Sequence, residues 1–335
     1  MTERTIRVAV VGLGRLGSIH AKLYRELPGV ELVAVCDTRP EAAQAAQALG
    51  VPYVADFRAL PAVDAISVVT LTKTHREVAA HWLAQGVPCL VEKPLAMDAA
   101  DGRAMLEACR AGGNPVLQVG HVERFNPALR AVEPFIGRPR FVECIRVSPF
   151  PFRSLDVGVV MDLMIHDIDI VLHLMDDAVA DIRASGARVF APSEDAANVR
   201  ITFQGGGVAV FTASRIAIKQ ERKLRMYSEK GYASCDLLAR QANVFRKRPA
   251  LLDGSIDVTR ITPAMLGESP LEYVLANLVE MIPVEVPENV NPLRDELADF
   301  IRCVREKSTP LVTGEHGLRA VETAQAILRS MEIAG

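Results

Sequence analysis

The chain has no apolar run approaching the ~20 residues that a membrane-spanning helix needs. It also has little net charge. Its 38 Lys and Arg stand against 41 Asp and Glu, a formal charge of −3, so it lacks the basic field that a nucleic-acid partner requires. The six cysteines (Cys36, Cys89, Cys109, Cys144, Cys235 and Cys303) include no Cys-x-x-Cys pair and no metal-like cluster. They read as reduced thiols in apolar surroundings, and no metal is expected. Aromatic residues make up only 5% of the chain, with one tryptophan. Tyr24, Trp82 and most of the others therefore read as core. Met1 to Thr5 runs straight into a strand pattern and leaves no room for a signal peptide. These absences together predict a soluble, cytoplasmic protein. Half of the 335 residues are hydrophobic, enough for two domains with separate cores.

What is present begins with a β-branched apolar run, Thr5 to Val11, fit for a buried parallel strand. Gly12-Leu13-Gly14-Arg15-Leu16-Gly17 follows, then a helical pattern through Leu27 and a second strand, Glu31 to Cys36, ending at Asp37. Strand, Gly-x-Gly-x-x-Gly, helix, strand and acid stand in the order of a dinucleotide fingerprint. Gly12 permits the tight turn, Gly14 lets the backbone approach a pyrophosphate, and Gly17 lets the helix pack on the strand. The phosphates would sit at the helix N-terminus beside Leu13, Arg15 and Leu16. Asp37, with Thr38 beside it, is placed to accept hydrogen bonds from an adenosine ribose. A carboxylate there favours NAD, whereas Arg39 keeps NADP open because a guanidinium can pair with a 2′-phosphate.

The alternation continues with a strand at Ala65 to Val69, a helix at Thr74 to Gln85 and a strand at Val87 to Val91. That strand delivers Glu92-Lys93-Pro94. Asp98 caps a helix to about Ala111, and Val116 to Val119 is the next strand. Such repetition means a parallel, doubly wound sheet, with ligands beyond the carboxyl ends of its strands. Asp37, Thr70 through His75, and Glu92-Lys93 all lie at such ends. Lys93 reads either as a surface lysine after a strand or as an ammonium close to a nicotinamide and a substrate hydroxyl. Pro94 fixes the turn and so the direction of the side chain.

A third pattern lies at Val160 to His173. The stretch is mostly apolar. Asp162, His166, Asp169 and His173 recur at i, i+4, i+7 and i+11, one polar stripe on a helix. Buried carboxylates and imidazoles are costly unless paired, so the stripe is either structurally satisfied or used. For Asp169 and His173, farther down the helix, the structural alternative is the stronger one.

With these motifs the chain resembles the glucose–fructose oxidoreductase/inositol dehydrogenase (Gfo/Idh/MocA) family. The resemblance rests on Gly12 to Gly17, Glu92-Lys93-Pro94 and Asp162-x-x-x-His166. It rests also on Pro292-Leu293-Arg294-Asp295-Glu296-Leu297 to Phe300 and on Pro310-Leu311-Val312-Thr313-Gly314-Glu315. It implies an α/β Rossmann domain, 1–121, followed by an α+β domain, 122–335, with a large open, mostly antiparallel sheet. It further implies an NAD(P)-dependent oxidoreductase whose catalytic residues are Lys93, Asp162 and His166. Cofactor contacts would extend to Thr70, Thr72, His75, Glu92, Lys93 and His121. The family's Thr-Pro-Asn-x-x-His stretch is here Thr70-Leu71-Thr72-Lys73-Thr74-His75.

Val119 to Pro127, Ser148-Pro149-Phe150 and Asp162 to Asp169 are similar to the branch that oxidises the 3-hydroxyl of UDP-N-acetylglucosamine. In that branch the 3-keto product goes to an aminotransferase, for lipid A or related surface glycans. Relatives acting on the uronic acid form, or on free sugars and polyols such as inositol, remain alternatives, as does a cofactor-binding protein without catalysis. Lys93, Arg124, Asn126, Arg153, Asp162 and His166 are the substrate-binding candidates. Arg124 and Arg153 are chosen because a nucleotide diphosphate needs guanidiniums.

From Arg140 onward, Phe141 to Val147, Asp181 to Phe190, Asn198 to Phe203, Val208 to Ser214 and Leu224 to Ser228 read as strands. Gln204-Gly205-Gly206-Gly207 and Glu229-Lys230-Gly231 are hairpin turns. Arg138, Arg140, Arg146 and most other cations nearby read as a solvated strand face. One sheet face should carry the helix bearing Asp162 and His166, and the other should be covered by self-association, giving a homo-oligomer, dimer or tetramer. Amphipathic helices at Pro292 to Glu306 and His316 to Met331 are expected to close the domain junction.

Overall fold

The structure, a computed structural model, describes residues 4–151 and 157–334. By contacts the chain forms two compact units, residues 1–125 with 290–329, and residues 126–289 with 330–335.

The first unit opens with β1 (Ile6–Val11), α1 (Arg15–Glu26), β2 (Val30–Cys36), α2 (Ala42–Leu49), β3 (Tyr53–Val54) and β4 (Ala65–Val68). It continues with α3 (His75–Leu83), β5 (Cys89–Glu92), α4 (Ala99–Ala111) and β6 (Leu117–Gly120). Six parallel strands lie in the order β3-β2-β1-β4-β5-β6. β1, β4, β5 and β6 are buried almost throughout, as continuous apolar strands covered on both faces must be. Asp98 caps α4 by accepting a 2.8 Å hydrogen bond from the Asp101 amide.

The second unit holds α5 (Pro127–Ile136), β7 (Phe141–Val147), α6 (Ile165–Met175), β8 (Val179–Ala187), β9 (Ala196–Phe203), β10 (Val208–Ser214), β11 (Glu221–Tyr227), β12 (Gly231–Asp236) and β13 (Gln241–Lys247). Three single-turn helices, α7 (Pro249–Leu252), α8 (Pro263–Leu266) and α9 (Pro270–Tyr273), precede β14 (Val279–Ile282). The chain then returns to the first unit with α10 (Pro292–Glu306) and α11 (Gly314–Ser330), and ends on β15 (Met331–Ala334) in the second. The sheet order is β14-β13-β12-β11-β7-β10-β9-β8-β15. Pairing is antiparallel except for β7 with β10 and β8 with β15. The two turns expected from their glycines join β9 to β10 and β11 to β12.

Several expectations need correction. The closing helices do not belong with residues 122–289. Leu297, Phe300 and Ile301 of α10 sit in the apolar core built on Val8, Val10 and Tyr24. On α11, Gly314 and Gly317 lie so close to Leu117 and Val119 that a Cβ would stand 2.5–2.6 Å from their side chains. The strand expected to reach Phe190 stops at Ala187, because the carboxylate of Asp195 takes the amides of Val189, Phe190 and Ala191. The helix expected from Val160 begins as a π-turn, Val160–Met164, and becomes α only at Ile165.

Arg146 is not on a solvated face. In β7 the buried positions are Val142, Cys144 and Arg146. The guanidinium, 3% exposed, donates to both oxygens of Asp167 on α6, at 2.9 and 2.7 Å. Arg138 and Arg140, by contrast, are more than half exposed and pair with Asp177 and Glu229. A buried ion pair is costly to break because one charge is left desolvated. Arg146→Met should therefore destabilise the protein by roughly 3–5 kcal/mol, and the double variant Arg146→Met/Asp167→Leu should recover much of that loss. Urea unfolding followed by circular dichroism measures both; equal destabilisation by single and double variants would show that the pair is not the cause.

Candidate active site

The candidate residues fall into two groups, one in each unit. In the first unit the β1–α1 corner is set by backbone proximity. Gly12 has φ +96°, and a Cβ there would stand 2.4 Å from the Val69 carbonyl oxygen. A Cβ on Gly17 would stand 1.8 Å from the Gly12 carbonyl oxygen. Only glycine fits either position. Gly14, the residue before α1, has nothing within 4 Å of its would-be Cβ. An open approach to a helix N-terminus is what a pyrophosphate needs.

Asp37 lies just past the end of β2 and is 8% exposed. Its carboxylate accepts the Leu13 amide at 2.7 Å and the Arg39 amide at 2.9 Å. The Arg39 side chain donates to both oxygens, at 3.0 and 2.9 Å. Burial pushes the Asp37 carboxyl up, but the Arg39 and Leu13 hydrogen bonds outweigh it and hold it down at about 2. It is ionised at neutral pH; four donors already occupy its lone pairs, so a ribose hydroxyl could bind there only by displacing the Arg39 side chain. Thr38, Arg15 and Leu16 are exposed beside it and at the helix start.

The β5 end carries Glu92 and Lys93. Glu92 is buried; one oxygen accepts the Lys93 amide at 3.2 Å and the other lies 3.1 Å from Nε2 of fully buried His20 on α1. Burial alone would raise the Glu92 carboxyl, but His20 and Lys93 bring it below the usual carboxylate range. Glu92 thus supports the lysine turn from beneath, and a Cβ on Gly120 would collide with it at 2.8 Å. His20 escaped the sequence reading, although its spacing from Gly17, Ala21 and Tyr24 puts it on the buried face of α1.

His75 Nδ1 lies 3.1 Å from the Pro94 carbonyl and Nε2 lies 3.2 Å from the Thr70 carbonyl. Burial lowers its pKa; the ring lies between the β4 loop and the Lys93-Pro94 turn, and in the neutral form its single N–H donates to one of these two carbonyls. Thr70 and Thr72 are half-buried in that loop, and His121 is buried directly after β6. Arg124, chosen for a diphosphate, is 2% exposed within a short 3₁₀ turn, its amide on the His121 carbonyl.

In the second unit Asn126 serves as a helix cap. Its Oδ1 accepts the Ala128 amide at 3.1 Å and its Nδ2 donates to the Leu237 carbonyl at 2.9 Å. That use of both amide atoms runs against its selection as a substrate ligand. Arg153 lies outside the described residues. Asp162, in the π-turn, and His166, in the first turn of α6, are half-buried. The other members of the stripe separate from them in depth. Asp169 is 3% exposed, whereas His173 is exposed and its Nε2 lies 3.4 Å from Glu133 of α5. Among the described residues no three His, Cys, Asp or Glu side chains gather as a metal site.

A doubly wound sheet with an open Gly-x-Gly-x-x-Gly corner and an ionised carboxylate past the end of β2 is the arrangement of a dinucleotide-binding domain. Residues 6–121 match the family model for the oxidoreductase family, NAD-binding Rossmann fold, and residues 132–234 match the GFO/IDH/MocA C-terminal domain. The chain is 35% identical over 265 residues to the UDP-N-acetylglucosamine 3-dehydrogenase of Acidithiobacillus ferrooxidans, covering 76% of this chain and 84% of that one. A solved structure of that enzyme superposes with a TM-score of 0.83 at 30% identity over 99% of both chains. The myo-inositol 2-dehydrogenase of Thermotoga maritima is 26% identical across 98% of this chain and 96% of that one. The chain belongs to the Gfo/Idh/MocA family. It is an oxidoreductase acting on a CH–OH group with NAD as cofactor.

Asp37→Ser removes the carboxylate expected to meet the ribose and releases Arg39. NAD should bind roughly ten- to hundredfold more weakly and NADP more tightly, the loss of one charged acceptor being about 1.5–3 kcal/mol. Quenching of tryptophan or NADH fluorescence measures both constants; an unchanged NAD constant would remove Asp37 from the ribose site.

Proposed function

We propose that the protein oxidises the 3-hydroxyl of a nucleotide sugar, UDP-N-acetylglucosamine, to the 3-keto form. The observation that carries this is the end-to-end likeness to an enzyme of that name, at 30% identity and a TM-score of 0.83 over 99% of both chains. By the same resemblance, the 3-keto product goes on to an aminotransferase for diamino-sugar synthesis. A second reading, oxidation of a free polyol, is favoured by the 26% identity to myo-inositol 2-dehydrogenase over nearly the whole chain.

The residues we propose for the cofactor are Gly12, Leu13, Gly14, Arg15, Leu16, Asp37, Thr38, Thr70, Thr72, His75, Glu92, Lys93 and His121. The open space at Gly14 and the ionised Asp37 fit a dinucleotide. Bound there, the nicotinamide supplies the hydride acceptor. The chain must supply a base for the alcohol proton and a group to stabilise the alkoxide as it forms. Lys93, Asp162 and His166 are the proposed catalytic residues. An imidazole can take the proton near neutral pH, and an ammonium can hold the developing negative charge, so His166 and Lys93 share the work. Asp162, one turn before His166, orients the imidazole or binds a neighbouring sugar hydroxyl. Substrate binding draws on the same three residues. Arg153 is kept as the diphosphate candidate; Arg124 and Asn126 have weaker claims, for the reasons given above.

Lys93→Met and His166→Ala should each lower NADH formation from UDP-N-acetylglucosamine by about 10²-fold or more while NAD binding persists. An absorbance assay at 340 nm over UDP-sugars, UDP-sugar uronic acids, inositols and free sugars decides the substrate. Turnover of inositol with none of the UDP-sugar would replace the nucleotide-sugar reading by the polyol one.

We also propose that a second copy of this chain covers the sheet face opposite α6. Phe141, Tyr227, Tyr232 and Phe245 run across that face with ring centroids 4.9–6.1 Å apart, and Phe141 and Tyr227 are exposed. Beside them Arg225 pairs with Glu143 at 2.7 Å. A two-fold copy would present apolar rings to rings and each charge to its opposite. Light scattering after size exclusion should give a dimer or tetramer that Tyr227→Asp reduces; a monomeric wild type would overturn the assembly.

A further inference from the structure

The second unit contains a cluster of buried charges that the proposed chemistry does not use. Glu194, Asp195 and Arg215 are 6%, 0% and 1% exposed. Arg215 donates from Nε to Asp195 at 2.7 Å, from Nη2 to Ser193 at 2.9 Å and from Nη1 to the Val157 carbonyl at 2.8 Å. Its guanidinium also lies 5.9 Å from the Phe150 ring centre. Asp195 organises the corner that follows β8 through the amides of Val189, Phe190 and Ala191.

Glu194 faces the opposite way. Its main-chain carbonyl accepts the Val159 amide at 3.0 Å, and its carboxylate accepts the Val160 amide at 3.1 Å. The carboxylate presses on Gly158 so closely that a Cβ there would stand 1.9 Å from it. Gly158 is not among the glycines with positive φ, so space rather than backbone conformation demands glycine. The next hydrogen bond along the chain is from the Asp162 amide to the Gly158 carbonyl, 3.0 Å. The cluster therefore holds the chain at Val157, Val159 and Val160, the last being the first residue of the π-turn that bears Asp162.

We infer that the Glu194–Gly158 contact, backed by Asp195 and Arg215, is a latch that positions Asp162 and His166. A helix start has N–H groups without intrahelical partners, and whatever accepts them fixes where the first turn begins. Here the acceptor is a buried carboxylate in the connection between β8 and β9, and it opens a π-turn, a form that recurs at functional sites. If the acceptor is lost, the turn can rewind toward α geometry and rotate Asp162 relative to His166. Glu194, Gly158 and Arg215 are positioning residues, acting through the turn and not on substrate or cofactor. The inference rests on the dehydrogenase reading for its activity readout but not for its structural one.

The test uses the full-length enzyme and four variants. Glu194→Ala and Gly158→Ala should each lower kcat about tenfold or more, since small misplacements of reacting groups carry losses up to 10². The NAD dissociation constant should stay within about twofold, because the cofactor residues lie in the other unit. Glu194→Gln keeps an oxygen for the Val160 amide and should retain kcat within about threefold. Because Gly158→Ala acts by displacing the Glu194 carboxylate, the double variant Gly158→Ala/Glu194→Ala should be no worse than the poorer single one. Multiplying losses in the double variant, or a kcat within threefold in either single, would overturn the latch. Hydrogen–deuterium exchange over residues 157–165 gives a readout independent of turnover. Faster exchange in Glu194→Ala than in Glu194→Gln supports the latch, and equal exchange overturns it. Should the wild type turn over no sugar or polyol, the dehydrogenase reading fails, and exchange alone decides the latch.

Discussion

Backbone proximity at the β1–α1 corner is the constraint on which the first unit depends. The Gly12 carbonyl lies where a side chain on Gly17 would begin, and the Val69 carbonyl lies where one on Gly12 would begin. Three chain segments meet there without side chains between them. The close fit brings the Leu13 amide onto Asp37 and lets α1 lie low enough for His20 to reach Glu92. The placement of the Asp37 carboxylate and the support of the lysine turn both follow from one turn that admits no Cβ at either position.

Much of this was legible. Fully buried parallel strands are continuous apolar runs, and the fingerprint glycines, Asp37 and the Asp98 cap have local signals that act within a few residues. The later strands were less so. In β13 and β14 most positions are half-buried or exposed, so apolar alternation, the usual mark of a half-buried strand, is faint. Arg146 was misread for a different reason. Its parity with Val142 and Cys144 assigns it to the buried face, and parity was the stronger evidence than residue type. His20 likewise shares a face with Gly17 and Tyr24. In both cases a polar residue at a core position signalled a buried partner, here Asp167 and Glu92.

The candidate site was legible only in outline. Lys93, Asp162 and His166 came from motifs, whereas the use of Asn126 as a cap depends on the Leu237 carbonyl, distant in sequence and near only in the fold. The Glu194–Gly158 contact has no sequence signal at all. A glycine before a helix and two adjacent acids in a corner are common, and their meaning comes from a fold that brings together residues 34 positions apart, Val160 and Glu194, with Gly158 beside them.

The same pattern recurs in each unit. Beside each proposed proton-handling residue stands a buried carboxylate held by a cationic or imidazole partner. Glu92 precedes Lys93 and is held by His20; Asp167 follows His166 and is held by Arg146. Neighbouring residues point in different directions, opposite in a strand and about 100° apart on a helix. Fixing one therefore fixes the direction of the next while the anchor occupies a different side chain. Such pairs add little net stability, since desolvation offsets most of the attraction. They make misalignment expensive instead, because any shift strands a buried charge. For hydride transfer, where the carbinol carbon and its proton acceptor must be placed together, resistance to misalignment matters more than added stability.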